Sequence, residues 1–86
     1  MEKESNYVYQ LTKGDNKMIR RHVVSSNVAS IGYENGILEV EFNDGSVYHY
    51  FGATEGLFYE FLNAPSKGQF VHYVLKKHNY PYRRVA

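Results

Sequence analysis

Tyr33-Glu34-Asn35-Gly36-Ile37-Leu38-Glu39-Val40-Glu41-Phe42-Asn43-Asp44-Gly45-Ser46-Val47-Tyr48 holds two turn signals, Asn35-Gly36 and Asp44-Gly45. Between them Leu38, Val40 and Phe42 alternate with Glu39 and Glu41. Asn-Gly and Asp-Gly favour two-residue type I′ hairpins, because both central positions need φ > 0. Read as such a loop, Asn35-Gly36 sets Tyr33 opposite Leu38, Ile31 opposite Val40 and Ala29 opposite Phe42. Asp44-Gly45 sets Phe42 opposite Val47, Val40 opposite His49 and Leu38 opposite Phe51. Both registers give one apolar face, made of Ala29, Ile31, Tyr33, Leu38, Val40, Phe42, Val47, His49 and Phe51. The stretch therefore reads as a three-stranded antiparallel meander over about 28–51. The opposite face carries Ser30, Gly32, Glu39, Glu41, Tyr48 and Tyr50.

Downstream the period changes. Thr54 is a good N-cap, and Leu57, Phe58, Phe61 and Leu62 recur at helical spacing, so a helix is expected over 55–63. Pro65 stops it, and Ser66 caps a second helix over 67–78 with Phe70, Val71, Val74 and Leu75 inward. Lys76, Lys77 and His78 fall in its last turn, where cations suit the helix dipole. Pro81 biases Tyr80 away from helix, which makes Tyr80-Pro81-Tyr82-Arg83-Arg84 an extended tail. Upstream, Tyr7, Tyr9 and Leu11 alternate with Val8 and Gln10 ahead of a turn-like Lys13-Gly14-Asp15-Asn16-Lys17. Residues 1–24 thus read as an N-terminal β-hairpin that extends the sheet or covers its polar face. The fold class is α+β: an antiparallel meander with two C-terminal helices packed on one face.

The chain has 86 residues, no Cys and no Trp. It is one domain, and its length buries roughly 60–65% of the unfolded surface. Neither disulfides nor a cysteine zinc site can staple it. Nine Tyr and five Phe supply large rings for core or binding surface. The net charge of +1 is unevenly spread. Residues 1–62 set five cations against all nine acids, −4, whereas residues 63–86 hold Lys67, Lys76, Lys77, Arg83 and Arg84 and no acid, +5. An acid-free basic quarter points to a polyanion partner or to an internal charge match. No apolar run approaches the roughly 18–20 residues that span a membrane, and the polar start lacks a signal-peptide core. A cytoplasmic protein is expected, in a cell or in a virus-infected cell.

From Ser25 onward the chain resembles the KTSC family, a short domain named for its place at the C-terminus of some lysyl-tRNA synthetases. The matching residues are Ser25-Ser26-Asn27, Ile31-Gly32-Tyr33, Tyr48-His49-Tyr50, the linker Asn63-Ala64-Pro65-Ser66-Lys67-Gly68 and the ending Tyr80-Pro81-Tyr82-Arg83. They cover about residues 25–85. The first hairpin is shorter than the family often has, and residues 1–24 lie outside its pattern. The resemblance implies a domain of unknown function, with RNA binding the usual suggestion, and relatives that occur as free-standing bacterial and phage proteins; it thereby implies a bacterial or phage-infected cell.

Several groups of residues have the chemistry to hold a ligand. Tyr48 and Tyr50 on one strand face can stack bases, or form a plain cross-strand packing patch. Lys67, Lys76, Lys77, Arg83 and Arg84, with His72 and His78 nearby and Tyr73, Tyr80 and Tyr82 interleaved, have a nucleic-acid composition; the plain alternative is a solvated helix end with the arginines clamped on the acidic sheet face of Glu39 and Glu41. Ser66 and Lys67 at a helix start can hold a phosphate or simply cap the helix. Ser26 and Asn27 form a turn or hold a ligand through polar contacts. His49, on the apolar face, reads as a satisfied, partly buried histidine. No metal-ligand spacing, nucleophile elbow or Gly-rich nucleotide loop is present, so no metal, cofactor or enzyme activity is expected. The leading expectation is a non-catalytic nucleotide or RNA-phosphate binding module. The alternatives are an oligomer that encloses a small cyclic or signalling nucleotide between protomers, and a protein–protein adaptor using Tyr and Arg anchors.

Overall fold

The computed structural model describes residues 18–86. Five strands pair in sequence order into one antiparallel sheet: β1 (Arg20–His22), β2 (Val28–Glu34), β3 (Ile37–Phe42), β4 (Val47–Phe51) and β5 (Tyr82–Arg84). Between β4 and β5 run α1 (Glu55–Asn63) and α2 (Lys67–Phe70), and α2 continues as a π-helical segment, Val71–Lys76. The α+β architecture agrees with the sequence reading, and the sheet is two strands wider than the meander. β1 comes from the segment read as an N-terminal hairpin and extends the sheet along β2; the part of that hairpin at Tyr7 to Leu11 lies outside the described residues. The extended tail pairs with the other edge, setting Tyr50 opposite Tyr82 and His49 opposite Arg83.

The first hairpin follows its turn signal. Asn35 (φ 49) and Gly36 (φ 82) both take the left-handed region, and Tyr33 pairs with Leu38 and Ile31 with Val40. A bulge at Ala29 then sets Val28, not Ala29, opposite Phe42, so Val28 is the residue that enters the core.

The second hairpin departs from the reading by one residue. In its turn only Gly45 (φ 91) has positive φ. Gly45 N–H donates to Phe42 O at 2.9 Å, and Phe42 N–H donates to Ser46 O at 2.9 Å. That is a three-residue loop, a turn followed by a left-handed glycine, rather than a two-residue type I′ turn. Asp44 Oδ1 fixes it by accepting from Ser46 N–H at 2.9 Å and Ser46 Oγ at 2.6 Å. The extra loop residue slips β4, so that Val40 pairs with Tyr48, Glu39 with His49 and Leu38 with Tyr50. Side chains alternate with period two, so a one-residue slip turns every one of them over. Tyr48 and Tyr50 therefore lie on the face with Leu38 and Val40, beneath the helices, and His49 lies on the polar face. Both placements correct the sequence reading.

The helices meet the sheet as their periodicity requires. Thr54 caps α1 through Leu57 N–H (3.0 Å), and Ser66 caps α2 through Gln69 N–H (3.2 Å). Leu57, Phe58, Phe61, Phe70 and Leu75 pack against Ile31, Leu38, Val40 and Tyr50. Phe61 and Phe70 stack with centroids 4.6 Å apart and planes at 8°. Tyr33 Oη ties the first hairpin to the start of α1, donating to Ala53 O and accepting from Gly36 N–H.

On the far face, Gly32 lets Arg20 cross the sheet, since a Cβ there would come within 2.8 Å of Arg20 Cγ and of Ile19 O. Arg20 Nε reaches Glu39 Oε2 at 3.2 Å, and its Nη1 lies 3.7 Å from Glu41 Oε1. Glu39 also meets His49 Nε2 at 2.7 Å, and Glu41 accepts from Ser30 Oγ at 2.8 Å. Among the described residues the acidic strand is thus matched by Arg20 and His49, from β1 and β4, rather than by Arg83 and Arg84.

Candidate functional site

The slip of β4 and the return of β5 together make a site. Tyr82 joins Tyr48 and Tyr50 on the helix-facing side. The rings of Tyr48 and Tyr50 lie 6.5 Å apart, with Tyr82 at 6.0 Å from Tyr48 and 5.9 Å from Tyr50. The three form a continuous aromatic wall, buried at Tyr50 and open at Tyr82, which is 63% exposed. The wall faces the π-helical segment and the turn after it across a cleft of about 840 Å³, lined also by Phe42, Ser46, Val71, Lys76, Asn79, Tyr80 and Pro81. Burial pushes the Tyr50 hydroxyl pKa up to about 12, with Tyr48 and Tyr82 adding to the effect. Tyr50 therefore stays a protonated donor through the physiological range.

The π-helical winding is what puts Lys76 there. Five residues turn ~500° in an α-helix, which would leave Val71 and Lys76 ~140° apart. The looser i→i+5 winding brings positions five apart towards one face, and both Val71 and Lys76 line the cleft. The last i→i+5 bond, Tyr80 N–H to Leu75 O (3.2 Å), carries the chain past Asn79 (φ 57) into β5. Asn tolerates that left-handed turn better than most residues.

A second hollow of about 630 Å³ adjoins the first and shares Phe42, Val71 and Lys76 with it. Its other lining is polar: Ser26, Asn27, Asn43, Asp44, Gly68 and His72. The Ser25–Asn27 turn closes on itself, Ser25 Oγ accepting from Asn27 N–H and Val28 N–H, and Asn43 Nδ2 donates to Ser25 O at 2.9 Å. Gly68 is bare where α2 passes the Asn27 carboxamide; a Cβ there would sit 3.0 Å from Asn27 Cγ. Hydrogen bonds from Ser46 hold the Asp44 carboxyl below the usual carboxylate range.

Of the residues singled out from the sequence, the structure gathers Tyr48, Tyr50, Lys76, Tyr80 and Tyr82 in the first hollow, and Ser26, Asn27 and again Lys76 in the second. The others sit apart. Lys77 Nζ lies 5.9 Å from the Tyr73 ring. Ser66 is occupied as a cap, and Lys67 Nζ turns back to Ala64 O at 2.6 Å. Arg83 stands across from His49 on the far face, and Arg84, on the tyrosine face, donates through Nε to Ala86 O. Sequence reasoning passed over Phe42, Asn43, Asp44 and Asn79, and noted His72 only as a neighbour of the basic quarter. Alternation had assigned Phe42 to the core, and turn chemistry alone explained Asp44. Among the described residues no cluster of three or more His, Asp or Glu is placed to hold a metal, and no helix is long and apolar enough to cross a membrane.

Comparison with known proteins returns the same segments. The chain is 37% identical over 70 residues to an uncharacterized protein of Stutzerimonas stutzeri strain A1501, covering 79% of this chain and 99% of that one. It also superposes on the crystal structure of a KTSC domain protein from Yersinia pestis with a TM-score of 0.74 and 36% identity, over 81% of this chain and all of that one. The KTSC domain pattern itself matches residues 24–80, from the Ser25–Asn27 turn through the tyrosine strand to the end of the helical segment, and so the chain belongs to the KTSC domain family.

Proposed function

We propose that the protein is a non-catalytic nucleotide or RNA-phosphate binding module, acting in the cytoplasm of a bacterial or phage-infected cell, with the tyrosine-walled cleft as its site. The observation that carries this reading is the cleft's lining, in which Tyr48, Tyr50 and Tyr82 face Lys76 across about 840 Å³. That volume falls within the range of about 300–1,000 Å³ usual for small-ligand pockets. An exposed ring offers a face on which a base stacks, and a lysine at the rim offers a point charge for phosphate. The cations at Lys77 and Arg84 add to the positive field of the C-terminal quarter, which steers an anionic ligand towards the cleft. The described residues of one chain line the cleft on the sheet side and on the helix side, so the reading requires no oligomer.

The test is fluorescence polarisation of a labelled single-stranded RNA oligomer across a salt series. Log K should fall linearly with log[salt]. Tyr82→Ala, at an exposed ring whose loss costs the core little, should weaken binding by about 1–3 kcal/mol, the usual worth of one stacked base. Lys76→Ala should flatten the salt dependence. Absence of binding, or affinity that neither salt nor Tyr82→Ala changes, refutes the proposal.

A further inference from the structure

We infer that the two adjoining hollows form one site for a two-nucleotide step of single-stranded nucleic acid, with the linking phosphate at Lys76. The inference rests on the nucleotide-binding reading and goes further, because it fixes the size of the ligand and the position of its charge. Three observations carry it. First, the hollows, of about 840 and 630 Å³, meet along Phe42, Val71 and Lys76. Among the described residues, Lys76 is the only cationic side chain that lines both of them. Second, their chemistry differs. The first presents the tyrosine wall, which takes a base by its face, whereas the second presents Asn27 and Asn43. Asn27 Oδ1 accepts from Ser26 Oγ and Asn43 Nδ2 donates to Ser25 O, which leaves the Asn27 amide as donor and the Asn43 carbonyl as acceptor for a base edge or a ribose. Third, Asp44 stands in the second hollow with its carboxyl held ionised by Ser46. A carboxylate repels phosphate, so that hollow suits a neutral nucleoside and leaves the charged linkage to the lysine at the junction. A mononucleotide would fill one hollow and leave the other to water.

The experiment compares the linear dinucleoside monophosphate ApA with AMP by calorimetry, and follows backbone amides by NMR. ApA should bind at least tenfold more tightly than AMP. The amides of Asn27, Asn43 and Asp44 should shift with ApA and stay in place with AMP. Asn27→Ala should bring ApA down to the AMP level without changing AMP itself, and Lys76→Ala should weaken both. If Asn27→Ala perturbs the turn, the wild-type amide shifts decide the matter independently. Equal affinities for ApA and AMP, or ApA shifts confined to Tyr48, Tyr50 and Tyr82, overturn this inference and leave nucleotide binding standing. Binding of neither compound overturns both.

Discussion

Two glycine-to-alanine substitutions should move stability in opposite directions, and the pair tests how β1 is held. At Gly32 a Cβ would lie 2.8 Å from Arg20 Cγ and 2.8 Å from Ile19 O. The first contact is with a side chain, but one tethered by its guanidinium to Glu39. The second is with backbone. Relief therefore requires β1 to lift from β2. Overpacking of this kind costs about 1–3 kcal/mol, and the smaller unfolded-state entropy of alanine returns about 0.4–1 kcal/mol. Those ranges leave a net loss of about 0–2.6 kcal/mol, and the contact with Ile19 O, which no side-chain rotation relieves, excludes the low end, so about 1–2 kcal/mol is expected. For a domain of this size, with Tm moving by about 4–8 °C per kcal/mol, Gly32→Ala should melt about 5–15 °C lower. At Gly56, in the first turn of α1, the nearest atom to a new Cβ is Thr54 Oγ1 at 3.8 Å, an ordinary contact. Helix propensity alone then governs, and Gly56→Ala should gain about 0.5–1 kcal/mol. Thermal and urea melts measure both. Hydrogen exchange adds the location: in Gly32→Ala the β1–β2 amides should lose protection while β3–β4 keeps it. A Gly32→Ala protein as stable as the parent would refute the close crossing of Arg20 and with it the account of the polar face.

Alkali should destabilise the fold through Tyr50. Its pKa is about 12 folded against about 10 unfolded, so the unfolded state loses its proton first, and the stability held below pH 10 is lost as pH rises from 10 to 12, by up to about 2 kcal/mol. Urea melts at pH 9 and pH 11.5 should differ in the parent and differ less in Tyr50→Phe. Glu39→Gln removes the carboxylate shared by Arg20 and His49 and should cost about 1–3 kcal/mol; a double-mutant cycle with His49→Ala should show coupling, and strict additivity would mean that the 2.7 Å contact contributes nothing. Phe61→Ala, at a fully buried ring stacked on Phe70, should cost about 3–5 kcal/mol and leave little folded protein at 37 °C by circular dichroism.

Much of this molecule was legible in the order of its residues. Asn35-Gly36 is a local signal acting on a local choice: both residues can take φ > 0, and the type I′ turn and its register follow. Thr54, Ser66 and Pro65 punctuate the helices by hydrogen-bond and steric chemistry that spans three or four residues, and the bounds of α1 came out as the caps dictate. The apolar alternation of β2 and β3 identified Ile31, Leu38 and Val40 as core.

Tertiary structure decided the rest wherever two local solutions were close in energy. Asp44-Gly45 suits a two-residue or a three-residue loop, and the sequence cannot choose between them. Packing chooses the longer loop, because it turns Tyr48 and Tyr50 under the helices beside Leu38 and Val40 and brings His49 to Glu39. Without that slip the tyrosines would face Glu39 and Glu41, and no aromatic cleft would exist. The π-helical stretch had no sequence signature, since Val71–Lys76 reads as ordinary helix. It arises where α2 must both bury Phe70 and Leu75 and hand the chain to β5, and it carries Lys76 into the cleft. The tail read correctly as extended, but the unpaired edge of β4 that captures it exists only once the sheet has formed. Local chemistry therefore set the elements, and the pairing of edges and the packing of faces brought Tyr48, Tyr50, Tyr82 and Lys76 together.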